Sequence, residues 1–506
     1  MKKILIIFIL FGVLILHSNI VVSADEIVSD EYSIKDFDGQ QNFSYFIDKN
    51  NTLYASGTNA SGQLGIGIVS TEVRINPVKV MENVKLVRSG KSGYGIILTM
   101  SGDLYALGNN QFGQLGLGTG FNNDSATNCI ALPTLIDMNK KDPIIDVVCG
   151  AQHTLLLSES GAVFSFGSNL TGALGQNLEA ARKVVVGIPT KIDQKYFNDE
   201  KIIQIASTEF TSFALSENGN VYAFGENDKG LICNNDLDFN NYYTVPTKTS
   251  LENIIKISAK STTAMALAEN KKVYVWGNNT FGQFGIKDYK EIYSAIPLEI
   301  TEYYNINGDI ENIEIKDICC GGITNFVLST NGDIYSFGSG GNGQVGFDVL
   351  DSSLKENPLI DGSNVIVPLK VEFYQSISIE QEIESGNDLY KGLMPVDRNN
   401  KINVKVEAIL SSIGTRTFIK DENGNVWSFG SNADGLAASG NIVNCVVPVR
   451  STLYRAENYD KTVEKKNYLI KPLVTLIVVF SLAGAWLISA EVKGYKLRKR
   501  IKQELK

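Results

Sequence analysis

The sequence predicts an all-β chain folded as a seven-bladed β-propeller of four-stranded blades, followed by one C-terminal transmembrane helix. Three observations predict it: a glycine-centred phrase recurs seven times, a proline-bearing apolar run follows every copy, and two apolar runs precede it. The phrase reads LYASGTNASGQLGIG at 53–67, LYALGNNQFGQLGLG at 104–118, VFSFGSNLTGALGQ at 163–176, VYAFGENDKGLICN at 221–234, VYVWGNNTFGQFGI at 273–286, IYSFGSGGNGQVGF at 334–347 and VWSFGSNADGLAAS at 426–439.

The first glycine of the phrase is Gly57, Gly108, Gly167, Gly225, Gly277, Gly338 and Gly430, and a second follows five residues later in every copy. Glycine at a fixed offset signals positive φ or close approach of another chain segment. Five copies add a third glycine, which Cys233 and Ala438 replace, so those two copies are expected to be looser or differently turned. Asn59, Asn110, Asn169, Asn227, Asn279 and Asn432 are expected to hydrogen-bond across these turns. Pro77, Pro133, Pro189, Pro246, Pro297, Pro368 and Pro448 lie in the runs that follow. Proline cannot donate to a ladder, which predicts that those runs are the outer strands.

Upstream, IIDVVC and TLLLS are joined by a small-residue turn, and SESG makes the hairpin into the phrase. One unit is thus four strands, A to D. Such a unit cannot bury both faces alone, but seven arranged radially cover one another. All seven units are whole, so no strand stands out as the one that closes the ring.

These features, with C-G-x-x-H-T upstream and x-P-x-x-V/I downstream, resemble the regulator of chromosome condensation repeat family, a seven-bladed propeller. The resemblance covers about Tyr32 to Tyr454. It implies the fold strongly and the function weakly, because propellers host unrelated activities. The founding member exchanges guanine nucleotide on a nuclear GTPase. A more distant resemblance, to a secreted β-lactamase inhibitory propeller, implies binding through loops on one face.

The ends imply export. Residues 1–24 are expected to be a signal peptide, with Lys2-Lys3, an apolar run from Ile4 to Leu16 and cleavage after Ala24. The propeller is expected over 25–455, a polar stalk over 456–471, a transmembrane helix over 472–490 and a basic cytoplasmic tail over 491–506. The run from Leu473 to Ala490 has 18 uncharged residues and the basic residues lie beyond it, so the N-terminal body is expected outside the cytoplasm. That topology disfavours nucleotide exchange on a cytoplasmic or nuclear GTPase.

The net charge is −9; with +2 in the first 24 residues and +5 in the last 16, the stretch between carries −16. Such a body repels phosphate backbones, and nucleic acid is not an expected partner. The six cysteines form no CxxC pair, and His17 and His153 are the only histidines. His153 is expected to be structural, hydrogen-bonding at the A–B turn. The inner strands read as mainly aliphatic, and no catalytic residue, metal or cofactor site is expected.

Candidate binding residues are the aromatics of the C–D loops, Phe121, Phe239, Tyr242, Tyr243, Tyr289 and Tyr293, with Tyr303 and Tyr304 in an enlarged D–A connection over Thr301–Asn312. A second long D–A connection, Glu372–Lys401, reads as a mobile flap. Three readings follow: a membrane-tethered module that binds an unidentified extracytoplasmic protein, an inhibitor or regulator of penicillin-recognising enzymes, and a propeller enzyme.

Overall fold

A computed structural model describes residues 34–118, 128–138, 141–178, 184–234, 241–287, 290–349, 357–376, 396–413, 415–432 and 445–451. Blade one is β1–β4 (Ile34–Gln40, Phe43–Asp48, Leu53–Asn59, Ser70–Met81), and blade two is β5–β8 (Val84–Gly90, Tyr94–Thr99, Leu104–Asn109, Cys129–Leu135). Blade three is β9–β12 (Ile144–Cys149, His153–Ser158, Val163–Ser168, Val185–Lys191), and blade four is β13–β16 (Ile202–Ser207, Thr211–Ser216, Val221–Glu226, Tyr242–Lys248). Blade five is β17–β20 (Ile254–Lys260, Thr263–Ala268, Val273–Asn278, Tyr293–Ile300). Blade six runs β21–β23 (Ile315–Cys320, Thr324–Ser329, Ile334–Ser339) and β25 (Asn364–Lys370), with the short β24 (Ile360–Asp361) on its outer edge. A hairpin, β26–β27 (Phe373–Ser376, Val396–Ile402), precedes blade seven, β28–β31 (Val406–Ile413, Arg416–Asp421, Val426–Gly430, Cys445–Ser451). All seven prolines predicted to mark outer strands lie in β4, β8, β12, β16, β20, β25 and β31.

One device sets the hairpin between second and third strands. In six blades the last residue of the second strand, Asp48, Thr99, Ser158, Ser216, Ser329 or Asp421, accepts the backbone N–H four residues on at 2.8–3.2 Å. In blade five Ala268 stands there, and Asn270 accepts from the Lys272 N–H instead.

The first phrase glycine faces the first residue of the second strand in every blade: Phe43, Tyr94, His153, Thr211, Thr263, Thr324 and Arg416. Its φ lies between 93° and 113°. From Gly108 to Gly430 a Cβ would stand 2.2–2.5 Å from the carbonyl oxygen just before that strand. The same oxygen accepts the N–H that follows the glycine, at 2.8–3.0 Å, so the ladder closes only where no side chain intrudes.

The second glycine ties one blade to the next. On Gly62, Gly113, Gly172, Gly230, Gly282 and Gly343 a Cβ would meet the following blade's outer strand at 2.5–3.2 Å. The carbonyl of the next residue then receives a hydrogen bond at that blade interface. Thr154 donates to Gln114, Ser212 to Ala173, Asn325 to Gln283 and Thr417 to Gln344. Where the following blade has Gly95 or Ala264 at the donor position, another side chain substitutes. Tyr45, of blade one itself, donates its hydroxyl to Gln63 at 2.5 Å, in space that a Cβ on Gly95 of blade two would occupy, and Trp276 of blade five donates Nε1–H to Leu231 of blade four at 3.0 Å.

The apolar core is divided among the interfaces. Seven clusters each join two consecutive blades; that of Leu155, Val163, Phe197, Ile205, Ala214 and Phe224, for example, joins blades three and four. Closure uses side chains, since every blade is built from contiguous chain. Phe418 of blade seven stacks on Phe37 of blade one with ring centroids 3.7 Å apart. Arg416, 2% exposed, donates to Ser44 Oγ at 3.2 Å and to the Gln41 carbonyl at 2.8 Å. His153 plays a related part: its ring fills space left by Gly150, and Nε2 lies 3.0 Å from Ser212 Oγ of the next blade. Its hydrogen bond therefore crosses a blade interface instead of closing its own turn, and burial lowers its pKa to about 4.

Several expectations need correction. Cys233 does not loosen its copy: it is buried and takes φ 57°, close to the 63–84° of the five glycines at that position. Tyr303 and Tyr304 are not surface anchors. Tyr303 packs edge-on to Tyr335, and Tyr304 exchanges backbone hydrogen bonds with Pro368 and Lys370, so this connection folds back along blade six. The ends of the Glu372–Lys401 connection form the β26–β27 pair, with Phe373 edge-on to Trp427 of blade seven, while 377–395, where the flap is expected, lie outside the described residues. The signal peptide, stalk, transmembrane helix and tail expected at 1–24, 456–471, 472–490 and 491–506 lie outside the described residues. Among those described, no helix is long and apolar enough to cross a membrane.

Gly338→Ala is expected to cost about 3 kcal/mol, combining left-handed strain with collision on the Ile323 carbonyl. Gly102 shares positive φ but has nothing within 4 Å of an added Cβ, so Gly102→Ala should cost only about 1 kcal/mol. Equal losses in denaturant unfolding would remove the close-approach argument. Arg416→Ala should cost about 3 kcal/mol by leaving a cavity at the ring closure and buried Ser44 Oγ without its donor; a loss under about 0.5 kcal/mol counts against that closure. Because the folded-state pKa of His153 lies below its unfolded value, the unfolded chain takes up the proton first as pH falls from about 6.5 to about 4. Stability present at pH 7 is lost across that window, by up to about 3 kcal/mol from this residue. The wild-type minus His153→Asn difference in stability should shrink accordingly, and a difference independent of pH contradicts the assignment.

Candidate functional site

The inner strands are β1, β5, β9, β13, β17, β21 and β28, which contact one another around the axis. Their third residues are Asp36, Leu86, Asp146, Gln204, Lys256, Asp317 and Ala408. The expectation of mainly aliphatic inner strands therefore fails at this level. The register slips just before this position in all seven blades. Asp36, Asp146 and Asp317 each accept the next backbone N–H on their own strand, at 2.6–2.9 Å. Gln204 exchanges two 2.9 Å bonds with Ile257 of the next blade, Lys256 pairs with Asp317, and Arg88 lies 3.6 Å from Asp36. Burial pushes the Asp36 and Asp146 carboxyls up, with the Arg88 charge opposing it. These groups bond to their own frame, and no three potential metal ligands converge among the described residues.

At one end of the axis the A–B turns surround a cavity of about 280 Å³, lined by Gln40–Asn42, Lys91, Cys149–Ala151, Ser207–Glu209, Lys260–Ser261 and Gly321–Ile323. Backbone bonds lock part of this ring: the Ala151 N–H donates to the Glu209 carbonyl at 2.8 Å, and the Glu209 N–H to the Ser261 carbonyl at 3.1 Å. The Glu209 carboxylate accepts from Lys91 across the mouth and from Ser261 Oγ at 3.0 Å. Burial pushes the Cys149 thiol up to about 12, far from the thiolate a nucleophile needs.

The C–D loops emerge on the same face, because A–B and C–D connections lie at one end of an antiparallel blade. Their turns are ordered from within: Asn59, Asn110, Asn169, Asn227 and Asn279 each accept the backbone N–H five residues on, at 2.9–3.4 Å. Of the aromatics expected in the loops, Tyr242 and Tyr293 instead open the outer strands β16 and β20, paired with Glu226 and Asn278, and are 45% and 39% exposed. Tyr243 is half-buried against the core between blades four and five, and its hydroxyl accepts from Asn234 at 3.2 Å. Phe121, Phe239 and Tyr289 lie outside the described residues. Sequence reading missed Leu170, Phe281 and Ile292, also exposed on this face. Leu170 and Phe281 stand between the phrase asparagine and the second glycine, and an apolar residue there was the available signal.

The regulator of chromosome condensation (RCC1) repeat model matches residues 101–157 and 160–215, and a second model of that description matches 144–173, 202–231 and 254–283. The chain is 26% identical over 369 residues to the mitochondrial RCC1 domain-containing protein RUG3 of Arabidopsis thaliana, covering 67% of this chain and 76% of that one. It is 25% identical over 391 residues to a bifunctional serine/threonine-protein kinase/NEDD4-like E3 ubiquitin-protein ligase of Dictyostelium discoideum, spanning 64% of this chain but only 20% of that protein. In fold it is similar to human WBSCR16, with TM-score 0.60 and 18% identity over 79% of this chain and 94% of that one. It is similar also to yeast RCC1 (Prp20) bound to Kap60, with TM-score 0.62 and 17% identity over 85% and 86% of the two chains. The chain therefore carries regulator of chromosome condensation repeats on a seven-bladed β-propeller.

Proposed function

We propose that this propeller is a protein-interaction module that binds its partner through the face of A–B turns and C–D loops. The observation that carries the reading is the exposure of Leu170, Tyr242, Phe281, Ile292 and Tyr293 on that face. Aromatic and aliphatic side chains held on fixed turns supply contact area at low ordering cost. The yeast protein of similar fold is itself in complex with another protein, Kap60. The module works outside the cytoplasm, tethered through 472–490, and acts by binding without catalysis. Inhibition of penicillin-recognising enzymes is a narrower form of this reading and rests on resemblance alone.

Crosslinking in intact cells, followed by recovery of the full-length chain, should retain a partner that the Tyr242→Ala/Tyr293→Ala variant recovers at about one tenth the yield or less. Ile188→Ala, on the exposed outer strand of blade three, should leave recovery unchanged. Equal recovery with the double tyrosine variant ends the assignment to this face. Extraction of membranes at alkaline pH should leave the chain in the pellet and release one lacking 472–490; release of both would overturn the tether.

A further inference from the structure

We infer that the mouth of the central channel is a carboxylate-binding site, with the Lys260 ammonium as its charged centre. The inference deepens the proposed function and rests on it in one respect: the mouth lies within the face assigned to the partner, and the site states what that partner must present. Lys260 ends β17, is half-buried and lines the cavity of about 280 Å³. Among the described residues no carboxylate or carbonyl pairs with its side chain, in contrast to Lys256 on the same strand, which is held by Asp317. The acid lining the mouth is Glu209, and it is already engaged by Lys91 and by Ser261 Oγ. The lining thus carries Lys91, Glu209 and Lys260, a net single positive charge inside a body whose total is strongly negative.

The remaining surroundings suit an acid. Cys149, close enough to feel the Lys260 charge, stays a neutral thiol because burial, and after it the Asp38 carboxylate, pushes its pKa up to about 12; Asp38 does not line the cavity and is engaged by the Ser89 N–H and hydroxyl. Gly321 and Gly322 leave their part of the wall without side chains, a Cβ on Gly322 falling 3.9 Å from Lys260 Cγ, so a carboxylate can approach the ammonium closely. The backbone bonds from Ala151 to Glu209 and from Glu209 to Ser261 fix the rim before a ligand arrives, which removes ordering cost from binding. A half-buried ammonium attracts a carboxylate more strongly than an exposed one, because less water screens the pair. The carboxylate can come from an acidic side chain of a protein partner or from a free small acid.

Calorimetric titration of the full-length chain with hexaglutamate, hexaglutamine and glutarate separates these sources. Hexaglutamate should bind and hexaglutamine should not, while Lys260→Met weakens hexaglutamate by about tenfold or more at unchanged unfolding midpoint. Glutarate binding equal to hexaglutamate per carboxylate supports a free acid as the source; preference for the peptide supports a protein side chain. Equal binding of hexaglutamate by wild type and Lys260→Met overturns the site, as does absence of binding by both acids. The Tyr242→Ala/Tyr293→Ala variant distinguishes the two claims: it should bind hexaglutamate like wild type even where it loses the protein partner.

Discussion

The close contact between each phrase loop and the next blade is the constraint on which this ring depends. A propeller has no single core, and here the apolar side chains form seven separate wedges between neighbours. Hydrophobic wedges alone leave adjacent sheets free to slide, because burial is non-directional. The second phrase glycine limits that freedom by bringing backbone within van der Waals contact of the following outer strand, and at five junctions the carbonyl beside it fixes the register with a directed hydrogen bond from the next blade. A buried carbonyl without a donor costs roughly 1–3 kcal/mol, which explains why an interface donor recurs although its chemistry changes.

The substitutions within the repeat show which part of the pattern is physical. Gly95 and Ala264 lack the donor found in Thr154, Ser212, Asn325 and Thr417, yet the facing carbonyl still receives a bond, from Tyr45 or from Trp276. Ala268 lacks an oxygen for its hairpin, and Asn270 supplies one. Cys233 adopts the positive φ that glycine has elsewhere, and its buried side chain joins the neighbouring core. The requirement falls on backbone groups and angles, and each blade meets it with whatever side chain lies within reach.

This division explains what was legible in the sequence. Glycine, proline and turn asparagine act on the backbone where they stand, so their spacing revealed seven blades and the outer strand of each but the sixth, where the short β24 pairs outside β25. Inter-blade devices were not legible, because they join residues far apart in sequence: Arg416 reaches Ser44 across the closing seam, and nothing in its own segment marks that role. The polar residues of the inner ring were obscured because Asp146, Gln204 and Lys256 each stand alone among aliphatic neighbours, at a position where the strand register slips. Tyr303 and Tyr304 misled for a related reason. A long connection predicts exposed aromatics only if it leaves the body, and this one pairs back along blade six, where Val365, Val367 and Leu369 are buried beside it.

The same division shapes the candidate site. Its A–B turns belong to the rigid part of the molecule, since backbone bonds link the turns of blades three, four and five directly. Leu170 and Phe281 project from turns whose backbones are held by asparagine and glycine, and Tyr242 and Tyr293 open the outer strands β16 and β20, while all four side chains remain exposed. The frame therefore constrains where these side chains stand and leaves their chemistry free to vary. Lys260 follows this logic at the centre of the face: its strand position is set by pairing with Thr263, whereas its ammonium meets no structural demand among the described residues. A half-buried ammonium that the described frame does not use, beside an acid already engaged by Lys91 and Ser261, is the chemistry on which the inferred carboxylate site rests.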